Sequence, residues 1–146
     1  MKIGIGNDHH GVKVKRKLVE YLEKKGYQVI NYGSNHTDVV DYPDVAFEVG
    51  EAVSNQNVDR GILICMSGIG MSIAANKVSG VRCAKVSNAR ETKLSVMHNH
   101  ANMISFSSEM PFYQMKDIVD AFLKSEYSME ERHQRRVDGI DRYHEL

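Results

Sequence analysis

Short apolar runs alternate with helix-like segments along most of the chain, and this alternation restricts the fold more than any other feature. Residues 2–6 (KIGIG) read as a first strand. Residues 12–25 carry Val14, Leu18, Tyr21 and Leu22 near helical spacing among lysines, the pattern of a surface helix. Gly26 follows where glycine commonly ends one. Residues 27–32 read as a second strand and 33–42 as a polar loop. Pro43 can open a helix reaching about residue 55, with Val45, Ala46, Val49 and Val53 inward. Strands are expected at 61–65, 81–86 and 101–106, and helices at 69–77, 89–97 and 111–123. The remainder, from Ser125, is a charged tail with a basic cluster at Arg132, Arg135 and Arg136. Strands separated by single helices are βαβ units, and right-handed crossovers place helices on both faces of a parallel sheet. The expected fold is α/β: a Rossmann-like, doubly wound, five-stranded parallel sheet in three αβα layers, with an extended C-terminal tail. In such sheets ligands bind beyond the carboxyl ends of the strands, near the point where strand order reverses.

The chain has 146 residues, 42% of them hydrophobic and 26% charged, which suits one domain over residues 1–146. Nineteen basic residues cancel 19 acidic ones, which argues against bulk electrostatic binding of nucleic acid or an anionic membrane. No apolar run approaches the ~20 residues of a membrane helix. The segment MKIGIGNDHHG lacks the features of a signal peptide, and the two cysteines, Cys65 and Cys83, are too few for a disulfide framework. A cytoplasmic location is the expectation.

The first strand ends in Asn7-Asp8-His9-His10-Gly11. An acid beside two imidazoles can hydrogen-bond sugar hydroxyls or move protons. It can equally be a polar turn with Asp8 as N-cap. Metal ligation is the third reading, but consecutive residues rarely converge on one ion in such a turn and no further spaced ligands follow, so no metal is expected.

The third strand ends in Cys65, followed by Met66-Ser67-Gly68-Ile69-Gly70. Glycines allow close backbone approach, and their N–H groups can point at an anion. A helix starting near Gly70 adds positive potential. Both effects favour a thiolate, able to act as nucleophile or as base. The competing reading is a buried structural cysteine, which fits Cys83, in mid-strand without a glycine loop, better than Cys65. There is no G-x-x-x-x-G-K-[ST], and the first strand carries G-I-G-N-D-H rather than G-x-G-x-x-G, so no nucleotide cofactor is expected. His98-Asn99-His100-Ala101-Asn102 precedes the fifth strand as a polar loop; His98 can be a general acid or base and Asn99 a donor. Arg132 and Arg136, four apart, share a face if helical and could clamp a phosphate; a solvated basic patch is the alternative.

Taken in order, G-N-D-H-H-G (6–11), D-Y-P (41–43), G-I-L-I-C-M-S-G-I-G-M-S-I-A-A-N-K (61–77), G-V-R (80–82), H-N-H-A-N (98–102) and R-H-Q-R-R-V (132–137) resemble the ribose-5-phosphate isomerase B family, which also contains the subunits of galactose-6-phosphate isomerase. The resemblance implies an aldose–ketose isomerase of phosphorylated sugars that needs neither metal nor nucleotide. It implies Cys65 as the base that takes the C2 proton to give a cis-enediol, and Ser67 assisting at the sugar oxygens. Backbone N–H groups around Gly68 and Gly70 would hold the enediolate. His98 would open the ring with help from Asp8. His9, Arg132 and Arg136 would bind phosphate, and Asn99 sugar oxygens. It also implies a homo-oligomer, dimer or tetramer, in which His98 and Asn99 face Cys65 of a neighbour and the tail embraces the partner.

The sequence departs from the family pattern at several places. Met71 stands where one branch has a catalytic glutamate, which leaves Cys65 as the base. Met66 replaces a glycine. Glu109 replaces a phosphate-binding arginine, and Val96 another arginine. Ribose 5-phosphate is the expected substrate. A galactose-6-phosphate or allose-6-phosphate type of isomerase is the alternative, and a weakly active sugar-phosphate-binding subunit the further one.

Overall fold

The computed structural model describes residues 1–143. Five strands are present: β1 (Lys2–Asn7), β2 (Gln28–Asn31), β3 (Arg60–Cys65), β4 (Cys83–Lys85) and β5 (Met103–Ser107). The helices are α1 (Val12–Lys24), α2 (Tyr42–Ser54), α3 (Ile69–Ala75), α4 (Ala89–Asn99), α5 (Phe112–Lys124) and α6 (Glu131–Arg142), with a short 3₁₀ turn at His9–Gly11 ahead of α1. The sheet is wholly parallel in the order β2-β1-β3-β5-β4. Strand order reverses between β1 and β3, so the switch point is flanked by Asn7-Asp8 and Cys65.

Both faces of the sheet are covered, which is why its strands read as unbroken apolar runs. Ile62 and Ile64 of β3 face a core built with Leu18 and Leu22 of α1, Val96 of α4 and Ile118 and Phe122 of α5. Leu63 and Cys65 face the opposite core with Val49 and Val53 of α2 and Met71 of α3. Side chains alternate along a strand, so the thiol is directed toward the α2–α3 layer by register. Gly26, at φ 91°, ends the α1 segment as expected.

Two expectations are corrected. The segment 98–99 is not loop: α4 continues through Asn99 and ends on His100 in the left-handed region (φ 51°). The tail is not extended throughout. It forms α6, whose buried side is His133 and Val137, one turn apart. A histidine supplies half of that buried face, so a search for apolar spacing misses the helix. No helix among the described residues is long and apolar enough to cross a membrane.

Candidate active site

The turn after β3 is built around Gly68. Its φ is 80°, and a Cβ there would lie 2.8 Å from the Phe106 Cα. Only glycine meets both constraints. Its N–H donates to Cys65 Sγ at 3.0 Å, so a main-chain dipole is aimed at a sulfur that is only 5% exposed. Serines of the β5 segment hold this turn from behind. Ser105 Oγ donates to the Gly68 carbonyl (2.7 Å), Ser107 Oγ to the Met66 carbonyl (2.6 Å), and the Ser108 N–H to the Cys65 carbonyl (2.8 Å). The sequence alone gives none of the three this role. Their signal is the polar alternation Ser105-x-Ser107-Ser108 at the end of an otherwise apolar strand.

Ser67 is half-buried and its Oγ accepts from the Ile69 N–H at 3.1 Å. Gly70 lies under Tyr42: a Cβ at this position would meet Tyr42 Cζ at 2.6 Å. Tyr42 is therefore a wall of the site that sequence reasoning missed.

At the end of β1, the Asp8 N–H donates to the Ile64 carbonyl at 3.1 Å, which sets Asp8 beside the Cys65 strand end. Its carboxylate is nearly buried. Oδ1 accepts from the His10 N–H (2.9 Å), the capping role expected, and Oδ2 lies 3.2 Å from His10 Nδ1. His9 Nδ1 accepts from the Val40 N–H at 3.5 Å. That bond places the proton of a neutral His9 on Nε2, as a donor for an anion. Asp8, His9 and His10 present ligand atoms within 4.8 Å of one another, so the cluster is also compact enough for a cation.

The other expected residues are elsewhere. Gly61 of β3 pairs with Met103 of β5, and Cys65 pairs with Ser107. Four residues at roughly 3.3 Å each put Cys65 about 13 Å up the sheet from Met103. His98 and Asn99 close α4 before Met103 and therefore lie at the amino edge, opposite Cys65. The His98 ring packs on His133, centroids 4.4 Å apart. His133 is 4% exposed and its Nδ1 is 2.7 Å from Ser128 Oγ. Burial, then the charges of His98 and Arg132, holds His133 below the ordinary imidazole range. It is a neutral backing for His98 that the sequence did not reveal.

Arg132 and Arg136 are exposed on α6, with Arg132 Nε paired to Glu130 at 2.9 Å. Arg82 clamps α6 to the start of β4 through both Asp141 oxygens (2.9 and 3.1 Å). Beside Asn99 is a largely apolar cavity of about 340 Å³ lined by Val81, Arg82, Cys83, Ile140 and Asp141 among others. Burial pushes the Cys83 thiol up to about 12, in keeping with the structural role expected of it. At the opposite edge, Met66, Ile69 and Ile73 form an apolar surface next to Cys65, each at least 50% exposed. Glu109 is exposed on the same rim, its N–H on Ser107 Oγ at 3.0 Å.

The expected site residues thus fall into two groups at opposite sheet edges. One is a thiol cradle at the switch point, with Asp8, His9, Ser67, Gly68 and Gly70. The other is an imidazole–amide–guanidinium group, with His98, Asn99, Arg132 and Arg136. Doubly wound sheets take ligands at the switch point, and here that point holds a thiol with a main-chain donor on it. Residues 3–140 match the family described as Ribose/Galactose Isomerase, and the chain belongs to it. It is 41% identical over 140 residues to ribose-5-phosphate isomerase B of Escherichia coli, covering 95% of this chain and 93% of that protein. The structure of Clostridium thermocellum ribose-5-phosphate isomerase B superposes with a TM-score of 0.96 at 43% identity, covering 99% and 98% of the two chains. That of Mycoplasma genitalium ribose-5-phosphate isomerase B with bound ribulose 5-phosphate gives 0.93 at 41% identity, covering 99% and 96%.

Proposed function

We propose that this chain interconverts ribose 5-phosphate and ribulose 5-phosphate through a cis-enediol, with Cys65 as the base. The observation that carries the reading is the 3.0 Å donor from Gly68 to Cys65 Sγ at the switch point of this fold. The Cys65 thiolate takes the C2 proton of the open-chain aldose. The electron pair moves to C1–C2 and charge develops on the C1 oxygen. The first-turn amides of α3 stabilise that oxygen, a type of contribution worth several kcal/mol in water-excluded sites. The same thiol then returns the proton to C1. Ser67 Oγ relays protons between the two oxygens. His98, backed by His133, protonates the ring oxygen during opening, and Asp8 takes the proton from the anomeric hydroxyl. Asn99 holds sugar oxygens, and His9, Arg132 and Arg136 hold the phosphate.

The division of these groups between opposite sheet edges supports a two-fold homodimer whose sites are each completed by the partner. In an isologous contact the thiol cradle of one protomer meets the α4–α6 half-site of the other, and the reverse contact occurs at the same time. The apolar ridge of Ile69 and Ile73 beside Cys65, and the apolar cavity beside Asn99, are matching features for that contact. Intracellular metabolism of sugar phosphates is the setting such an enzyme fits.

One feature favours a second reading. Glu109 places a carboxylate on the rim, where a phosphate of a pentose would be repelled; a six-carbon phosphate such as galactose or allose 6-phosphate sets its anion at a different reach. Turnover of ribose 5-phosphate against these hexose phosphates, with the purified chain alone, tests both readings. The expected result is fastest conversion of ribose 5-phosphate. A chain inert alone, active only with a second protein, is an accessory subunit instead.

A further inference from the structure

Lys15 is among the few buried charged residues of the described chain, at 3% exposure. Its ammonium group spends one hydrogen on the end of β2 and two on the loop that follows. Nζ donates to Asn31 Oδ1 at 3.0 Å, to the Ser34 carbonyl at 2.6 Å and to Asn35 Oδ1 at 2.8 Å. All three acceptors are neutral, and no carboxylate compensates the buried charge among these contacts. Burying an ammonium without a counter-charge costs free energy that its hydrogen bonds to neutral acceptors offset in part.

The held segment crosses the thiol half-site. At one end the Ser34 carbonyl also accepts from Asn7 Nδ2 (2.9 Å), while the Asn7 backbone pairs with the Gly33 carbonyl and the Ser34 N–H (2.7 and 2.9 Å). Asn7 is the residue before Asp8. Further along, the Val40 N–H meets His9 Nδ1, and Tyr42 lies over Gly70. Residues 33–42 therefore run from Asp8 past His9 to the α3 turn.

We infer that Lys15 is a positioning residue for substrate binding: it anchors the loop of residues 33–42, and through that loop it sets His9 and Tyr42 at the rim of the thiol half-site. Lys15 touches no substrate in this account; its effect passes through Ser34, Val40 and Tyr42. The inference rests on the reading of His9 as a phosphate ligand. Burial, then the charge of Arg16, pushes Lys15 down to about 8. The charged groups lining the crevice around it are Arg16 and Glu20 of α1; Asn31 of β2 and Asn35 of the loop contribute amides there, and Asn7 of β1 reaches the same Ser34 carbonyl. On losing its proton the amine keeps two N–H donors for three acceptors, so the anchor weakens on the alkaline side.

The test is Lys15→Met, assayed with ribose 5-phosphate and by amide hydrogen exchange, beside Asn35→Ala, which removes an acceptor from the exposed side. Both variants are expected to raise KM about tenfold with kcat within about twofold, the size of one charge-assisted hydrogen bond lost from a binding group. Exchange in residues 33–41 accelerates in both, while β1 and β3 stay protected. In the wild type KM climbs above about pH 8, and Lys15→Met flattens that climb. Unchanged exchange and KM in Asn35→Ala, or a Lys15→Met protein that loses thermal stability with its KM and pH profile intact, overturns the inference. Exchange reads the anchoring without substrate. If exchange responds but no variant, nor the wild type, turns over ribose 5-phosphate, the anchor stands and the substrate assignment falls.

Discussion

Cys65 and His98 stand at opposite edges of one sheet. Cys65 closes β3 at the carboxyl edge, and His98 closes α4 at the amino edge. A base that removes a carbon-bound proton and an acid that opens the ring must address neighbouring atoms of one small sugar. By register Cys65 lies roughly 13 Å up the sheet from Met103, and α4 ends before Met103; the proposed sharing of sites between two copies of the chain rests on that separation.

The sulfur is the first point of attack. Under the proposed assignment, Cys65→Ala removes the base and keeps the groups proposed to hold phosphate and hydroxyls. Isomerisation is expected to fall by about 10²–10⁴, the usual share of a positioned base, with sugar-phosphate affinity nearly kept. Thiol labelling checks this from the other side. Near neutrality, folded protein should react at Cys65 and not at Cys83, which burial holds protonated up to about 12, and substrate should protect Cys65. Persistent turnover in Cys65→Ala would remove it as base.

The backbone of the turn makes a prediction independent of chemistry. Gly68→Ala forces a left-handed φ of 80° on a residue with a Cβ and drives that atom against Phe106. A loss of about 1–3 kcal/mol in stability is expected from the strain, together with displacement of the donor to sulfur. Gly70→Ala clashes with a side chain instead, so its cost should be relieved in Gly70→Ala/Tyr42→Ala. Urea unfolding of the four proteins reads the coupling; strict additivity at Gly70 and Tyr42 would contradict the contact.

Acid should weaken the fold through His133. Its folded value is depressed below 6.5, by burial first and then by His98 and Arg132. The unfolded chain therefore takes up the proton more readily. Stability from this group is complete above about 6.5 and declines as pH falls below it. His100, depressed by burial and by Arg82, acts in the same sense. Denaturant midpoints measured downward from neutrality should fall more steeply in wild type than in His133→Gln. Equal slopes would show that His133 is not the group responsible.

The rim charges should act on binding rather than on the chemical step. Arg136→Ala is expected to raise KM for ribose 5-phosphate by about tenfold, as one charge-assisted phosphate contact is lost. Glu109→Gln should lower it if, as the second reading holds, the exposed carboxylate repels the bound phosphate. A Glu109→Gln enzyme with unchanged KM would place that carboxylate away from the bound phosphate.

The architecture was legible because the strands are buried on both faces and so read as continuous apolar runs. Cys65 stands out for the same reason: it ends such a run three residues before Gly68. What escaped were polar residues whose meaning is tertiary. Ser105, Ser107 and Ser108 look like strand-end serines until the turn after β3 is seen hanging on them. Lys15 looks like one lysine among many on α1, yet it is the one turned inward. Tyr42 opens α2 and Gly70 lies in α3, with β3 between them. α6 was hidden because His133 takes an apolar position on its inner face, and α4 was cut short because His98 and Asn99 read as loop residues. Sequence spacing reports period and turns; it does not report which polar atoms meet across the fold.

The central claim, that each site takes its thiol from one protomer and its imidazole from the next, is tested by mixing two inactive proteins. Cys65→Ala and His98→Asn are purified separately, combined, and allowed to exchange subunits. Half of the resulting dimers are mixed, and each mixed dimer holds one intact site of two, so activity should recover to about a quarter of wild type. Recovery of nothing, from a mixture shown to contain mixed dimers, would mean that Cys65 and His98 do not serve a common site across the interface.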